Sequence, residues 1–140
     1  MITASVIPKL ERLTFYPSIT KQYRFLKKMV NRFSGVYLKK YYRKGGRYWQ
    51  FVSLDNGGLF AYPVMDEPVT FDNPNHHSSG VFSQEAAGIC IWLIVLGLCA
   101  MVAFERGQFV EMGDFSHYQM RLMEYAKEHS EWNNIVRVID

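Results

Sequence analysis

Cysteine is scarce in this chain of 140 residues, which has only Cys90 and Cys99. They stand nine positions apart inside an apolar stretch. That is neither a zinc-ligand spacing nor a disulfide framework, so buried, reduced thiols are expected. Signatures of nucleotide and nucleophile chemistry are missing too. The glycines of "GGRYWQF" and "DNGGLF" form neither the Gly-x-x-x-x-Gly-Lys-[Ser/Thr] phosphate loop nor the dinucleotide pattern. Ser83 and Ser116 lie outside any Gly-x-Ser-x-Gly elbow and suit helix capping better. No cationic segment leads into a short apolar run at the N-terminus, so no secretory signal is expected.

Acidic residues are nearly absent from the first third. Residues 1–54 hold twelve Lys or Arg against one Glu, a balance of +11. Residues 55–140 hold four basic and twelve acidic residues, a balance of −8. Such a distribution steers association with nucleic acid, an acidic membrane face or an acidic protein. It equally allows the two halves to pair internally, and the sequence does not separate these readings.

What is present in quantity is apolar. From Ala86 to Phe104 nineteen residues run without a charge, close to the roughly 20 needed to cross a bilayer. Trp92 lies well inside the run, away from the interface positions tryptophan favours, and no basic cluster flanks it. Ser83 with Glu85 reads as a helix start in water, a cap followed by an acid at the positive dipole end. A buried helix over about 84–104 is favoured over a membrane span, and a strand-rich reading is the third alternative.

Elsewhere "SVIPKLERLTFYPSI" reads as an opening strand or extended segment closed by Pro17. Tyr23, Leu26, Val30, Phe33, Tyr37 and Tyr41 recur at helical spacing, predicting one amphipathic helix from a Thr20 cap to about residue 43, with a bend or stop at Gly35. Trp49, Phe51 and Ser53 alternate with Gln50, Val52 and Leu54, and Asn56-Gly57 follows. This predicts a strand and tight hairpin, with Pro63 ending the return strand. "PVTF" adds a short strand, and "DNPNHHSSG" reads as a polar connection. A last helix capped by Asp114 or Ser116 presents Tyr118, Leu122, Tyr125 and Ala126. After it Ile135, Val136 and Ile139 are available to dock. The order of elements implies a single α+β domain over 1–140, in two layers, with an antiparallel sheet and packed helices.

Catalytic candidates each have a plainer explanation. His76 and His77, beside Asn75 and Asp72, lack a supporting ligand set and read as a solvated loop. His117 has no nucleophile placed with it, and Glu124 and Glu128 read as a solvated helix face. Trp49 reads first as core and second as a recognition surface. The most distinctive functional feature is basic: Arg24, Lys27, Lys28, Arg32, Lys39, Lys40, Arg43, Lys44 and Arg47 interleave with Tyr37, Tyr41, Tyr42 and Tyr48. Cations neutralise phosphates and aromatics stack on unpaired bases, so residues 21–48 are a candidate patch for nucleic acid or an acidic partner.

At "ERLTFYP", "GGRYWQFVSLDNGGLFAYP", "SQEAAGI" and "HYQMRLMEYAKEHSEWNNIVRVID" the chain resembles the ArdB/KlcA family of antirestriction proteins. The resemblance covers most of the chain in order. It implies a small cytoplasmic α+β protein of bacterial plasmids or mobile elements, with no enzymatic activity, cofactor, metal or membrane association. The implied function is relief of type I restriction of incoming unmodified DNA, by a route other than DNA mimicry, with a type I restriction-modification complex as the candidate partner. A net charge of +3 agrees, since it cannot imitate a DNA duplex over a whole surface. Among matching positions Arg12, Trp49, Asn56 and Asp140 are the exposed candidates for a partner surface. This chain departs from the family pattern where Arg47 interrupts the Gly-Gly-Tyr-Trp run, in its more basic first helix, and in an apolar helix without polar residues near its middle. The alternative function is a small basic nucleic-acid-binding module using 21–48.

Overall fold

The computed structural model describes residues 1–41, 48–73 and 78–140. Strand β1 (Ala4–Val6) pairs antiparallel with β2 (Trp49–Leu54), which pairs antiparallel with β3 (Leu59–Pro63). The hairpin register sets Trp49 opposite Pro63 and Ser53 opposite Leu59, and Gly57 at the turn takes φ +91°. Strand β4 (Val69–Asn73) pairs with β5 (Ser78–Phe82) in a separate two-stranded sheet. The helices are α1 (Phe15–Ile19), α2 (Tyr23–Tyr37), α3 (Gln84–Glu105), α4 (Phe109–Glu128) and α5 (Trp132–Ile139). The α+β class with helices packed on antiparallel strands is as expected, with two small sheets where one was anticipated.

The apolar run is the buried central helix. Ser83 caps α3 by accepting the Ala86 N–H, and Glu85 occupies its first turn. Because α3 packs against α2, α4, α5 and β3, it needs apolar residues on every face. Ile89, Ile91, Trp92, Leu93, Val95 and Leu96 are all buried. Gly88 lets the helix lie directly on β3. A Cβ there would collide with Tyr62 and come within 2.7 Å of the Ala61 carbonyl oxygen. The helix ends in a Schellman motif: Gly107, at φ +70°, donates to the Phe104 carbonyl, and Gln108 N–H donates to that of Ala103.

Several expectations are corrected. The opening segment is strand only over β1. A 3-10 helix (Lys9–Thr14) and α1 follow, and Pro17 sits inside α1, whose first N–H groups have no intrahelical partner to lose. The second helix ends at Tyr37 rather than near residue 43. Leu38 turns extended and forms a bridge with Phe71, so burial of that side chain against β4 overrides the helical spacing. Gly35 stays helical, and the N-cap is Gln22, whose N–H donates to Thr20 Oγ1.

The polar connection is partly strand, since Asp72 and Asn73 belong to β4, and Ser78, Ser79 and Gly80 to β5. The last long helix begins at Phe109, ahead of Asp114 and Ser116. Phe109 and Val110 are exposed, which blurs the apolar periodicity of its first turn. In α5, Ile135 and Val138 are the buried pair, while Val136 and Ile139 are only partly covered. The buried Asn73 side chain donates to the Val138 carbonyl at 2.9 Å, tying α5 to β4.

Candidate functional site: a basic, aromatic-lined cleft

Period-two alternation places Trp49 and Phe51 on one face of β2, and Val52 and Leu54 are buried. Phe51 meets Phe15 edge-on at 4.7 Å, and Phe15 and Tyr16 both pack on Trp92 of α3. This aromatic cluster fixes α1 and the preceding 3-10 helix against the sheet. Its outer members Tyr16 and Phe51 line a cleft of about 600 Å³ walled on one side by α2.

Two separate elements supply the cations. Arg12, from the 3-10 helix, donates from Nη2 to Gln50 Oε1 at 3.1 Å, and its guanidinium carbon stands 5.5 Å from the Phe51 ring centroid. Its Nε is buried with no hydrogen-bond partner. Arg24, Lys27 and Lys28 come from the exposed face of α2, with Lys27 Nζ 5.9 Å from the Tyr16 ring centroid. Trp49 packs edge-on against Tyr41, whose hydroxyl donates to Asn31 Oδ1 at 2.6 Å, and Tyr48 on the rim is 76% exposed. Among the described residues no carboxylate lines the cleft. Burial pushes the Tyr16 phenol well above its ordinary range, so it stays neutral beside these cations.

The expected basic patch is therefore split. Arg24, Lys27 and Lys28 join Arg12 and Trp49 in the cleft, while Arg32 is exposed on α2 without lining it. The turn after Tyr37 carries Lys39 and Lys40 to another depression, where Asp66 and Glu67 face them. Arg43, Lys44 and Arg47 lie outside the described residues, as do His76 and His77. Tyr37 and Tyr41 are buried. The ion pairs between described residues are Arg121 with Glu124, and His129 with Glu85 and with Glu131.

Asn56 is engaged within the fold. Its Nδ2 donates to the Arg121 carbonyl at 2.9 Å and to Glu124 Oε1 at 3.0 Å, while Oδ1 accepts the Gly58 N–H. Asp140 is exposed at the end of α5, away from the cleft residues in sequence and absent from its lining. His117 is exposed, and Glu128 accepts the Ile2 N–H.

A second polar cluster was not anticipated. Glu85 Oε1 lies 2.8 Å from His129 Nε2 and accepts the Tyr125 hydroxyl at 3.2 Å, while His129 Nδ1 accepts the Glu131 N–H. Glu131 in turn accepts Ser83 through both the backbone N–H and the hydroxyl. The His129 hydrogen bond holds the Glu85 carboxyl below its usual range, and the same bond raises His129. The cluster locks the start of α3 to the α4–α5 junction. Its members are 44 and 48 positions apart, so only the fold unites them. Among the described residues no three His, Cys, Asp or Glu side chains are arranged to hold a metal ion, and both cysteines are free and buried.

The fold is that of a small α+β protein, and among its described residues the cleft sets Arg12, Arg24, Lys27 and Lys28 beside Tyr16, Tyr48, Trp49 and Phe51. Residues 40–140 match the family described as antirestriction protein, and the chain belongs to that family. It is 29% identical to antirestriction protein KlcA of Escherichia coli, over 99% of this chain and 94% of that protein. It is 28% identical to YafX, an uncharacterized protein of Escherichia coli K12, over 99% and 88%. A solved structure aligns with TM-score 0.76 at 25% identity, covering 99% of this chain and 95% of that one. That structure is described as showing, for KlcA and ArdB, a novel fold and antirestriction activity against type I DNA restriction systems in vivo but not in vitro.

Proposed function

We propose that this protein relieves type I restriction of incoming unmodified DNA, acting in the bacterial cytoplasm on a protein partner and without chemically altering DNA. The observation that carries the reading is the correspondence of nearly the whole chain with the KlcA and ArdB structure, at TM-score 0.76. The charge distribution supports a route other than DNA mimicry. A mimic needs dense negative charge, and the first 54 residues carry a balance of +11. The partner is a type I restriction-modification complex or a component that acts with it in the cell. A plasmid or other mobile element is the natural carrier of such a gene.

The test is a plating assay. Unmodified phage is titred on cells with an active type I system, with and without this protein, beside a strain that modifies but does not restrict. Increased plating confined to the restricting cells is the expected result. An unchanged titre across several type I systems, with the protein folded and expressed, would sink the reading. The activity reported for KlcA and ArdB in vivo but not in vitro makes the cellular assay primary and a purified endonuclease the comparison.

A further inference from the structure

We propose that the cleft between α2 and β2 binds a nucleotide unit, with its phosphate held by Arg12, Lys27 and Lys28 and its base laid against Tyr48 or Trp49. This is narrower than a basic helix attracting phosphates, and it goes beyond restriction relief, on which it does not depend.

Three observations carry it. First, Arg12 and the α2 cations reach one cleft from separate elements, and no carboxylate among the described residues lines it. Like charges brought together without counter-charge favour an anion between them. Second, Arg12 is already oriented by the Phe51 ring and by Gln50, which takes a hydrogen bond from Nη2. A planar guanidinium so held suits a phosphate oxygen. Third, the rim carries Tyr48, 76% exposed and next in sequence to Trp49, which also lines the cleft. An exposed ring beside clustered cations is the pairing that single-stranded nucleic-acid sites use, cations for the backbone and aromatics for the base.

A cleft of about 600 Å³ has the size of a small-ligand site, too small to admit a duplex with its bases stacked inside. The shared chemistry is therefore a phosphate with an accessible base, from a free mononucleotide or from a single strand. An acidic polypeptide would satisfy the cations and leave the aromatic rim unused.

Binding of a fluorescent 12-nucleotide oligothymidine to the full chain, followed by anisotropy between about 50 and 200 mM salt, tests the proposal. Thymidine monophosphate, a duplex of equal length and polyglutamate serve as competitors. The oligothymidine is expected to bind and to be displaced poorly by duplex and polyglutamate. Tyr48→Ala, at an exposed position, should weaken binding roughly tenfold. Lys27→Ala and Lys28→Ala should each lower the salt slope by about 0.7. Lys21→Ala, exposed outside the cleft, should bind as the parent does. Displacement by the monophosphate would identify a free nucleotide as sufficient, and displacement by oligonucleotide alone would identify a strand. Three results would overturn the proposal: no binding at low salt, polyglutamate competing as well as oligothymidine, or cleft variants that are folded by circular dichroism yet bind like the parent. Each of these leaves the plating result untouched.

Discussion

Asn56 at the tip of the β2–β3 hairpin donates a 2.9 Å hydrogen bond to the main-chain carbonyl of Arg121, sixty-five residues later in α4. One side chain thus performs two tasks. Its Oδ1 closes the turn onto Gly58, and its Nδ2 fastens the sheet to a helix. Asn56→Ala should destabilise the protein by about 1–3 kcal/mol, because a carbonyl and an N–H inside the junction lose their partner. Urea denaturation measures this. A variant as stable as the parent but inactive in plating would instead make Asn56 a partner-surface residue.

Gly88 and Gly113 are both helical glycines with opposite surroundings. A Cβ on Gly88 strikes Tyr62 and the β3 backbone, whereas one on Gly113 meets nothing within 4 Å. Gly88→Ala should cost about 1–3 kcal/mol by forcing α3 off the sheet. Gly113→Ala should gain about 0.5–1 kcal/mol from improved helix propensity. Thermal melts of the two variants should therefore move in opposite directions.

The Glu85–His129 pair makes stability depend on pH. His129 is raised above its ordinary 6.5, so its contribution is full below pH 6.5 and is lost as pH rises through its folded value. Glu85 is lowered below its ordinary 4.5, so its contribution is full above pH 4.5 and is lost as pH falls through its folded value. The pair therefore contributes most between about pH 4.5 and 6.5. Glu85→Gln should flatten the upper flank of the stability profile, measured by denaturant midpoints across pH. Identical profiles for variant and parent would contradict this assignment.

Neither cysteine should react in the native state. Burial pushes the Cys99 thiol up to about 12 and Cys90 higher still. Both are expected to resist a thiol reagent such as dithionitrobenzoate near neutral pH and to titrate together in denaturant. Rapid native labelling at either position would show that α3 is less enclosed than its packing implies.

The strongest local patterns were legible in the sequence. The Ser83 cap, the uncharged run behind it and the Asn56-Gly57 turn fixed α3 and the β2–β3 hairpin. Each depends on neighbours a few residues away, where backbone geometry and side-chain capping act directly. Period-two alternation likewise put Trp49 and Phe51 on one face. Only tertiary structure decided where the basic residues go. Leu38 leaves the helix because β4 offers it a buried site, and that turn separates Lys39 and Lys40 from Lys27 and Lys28. Arg12 reaches the cleft through a 3-10 helix that runs into α1, whose Phe15 and Tyr16 pack on Trp92, contacts no local pattern encodes. Glu85 meets His129 for the same reason: long-range packing brings α3 to the end of α4. Local propensity set the elements, and burial against distant partners chose which of their side chains share a surface.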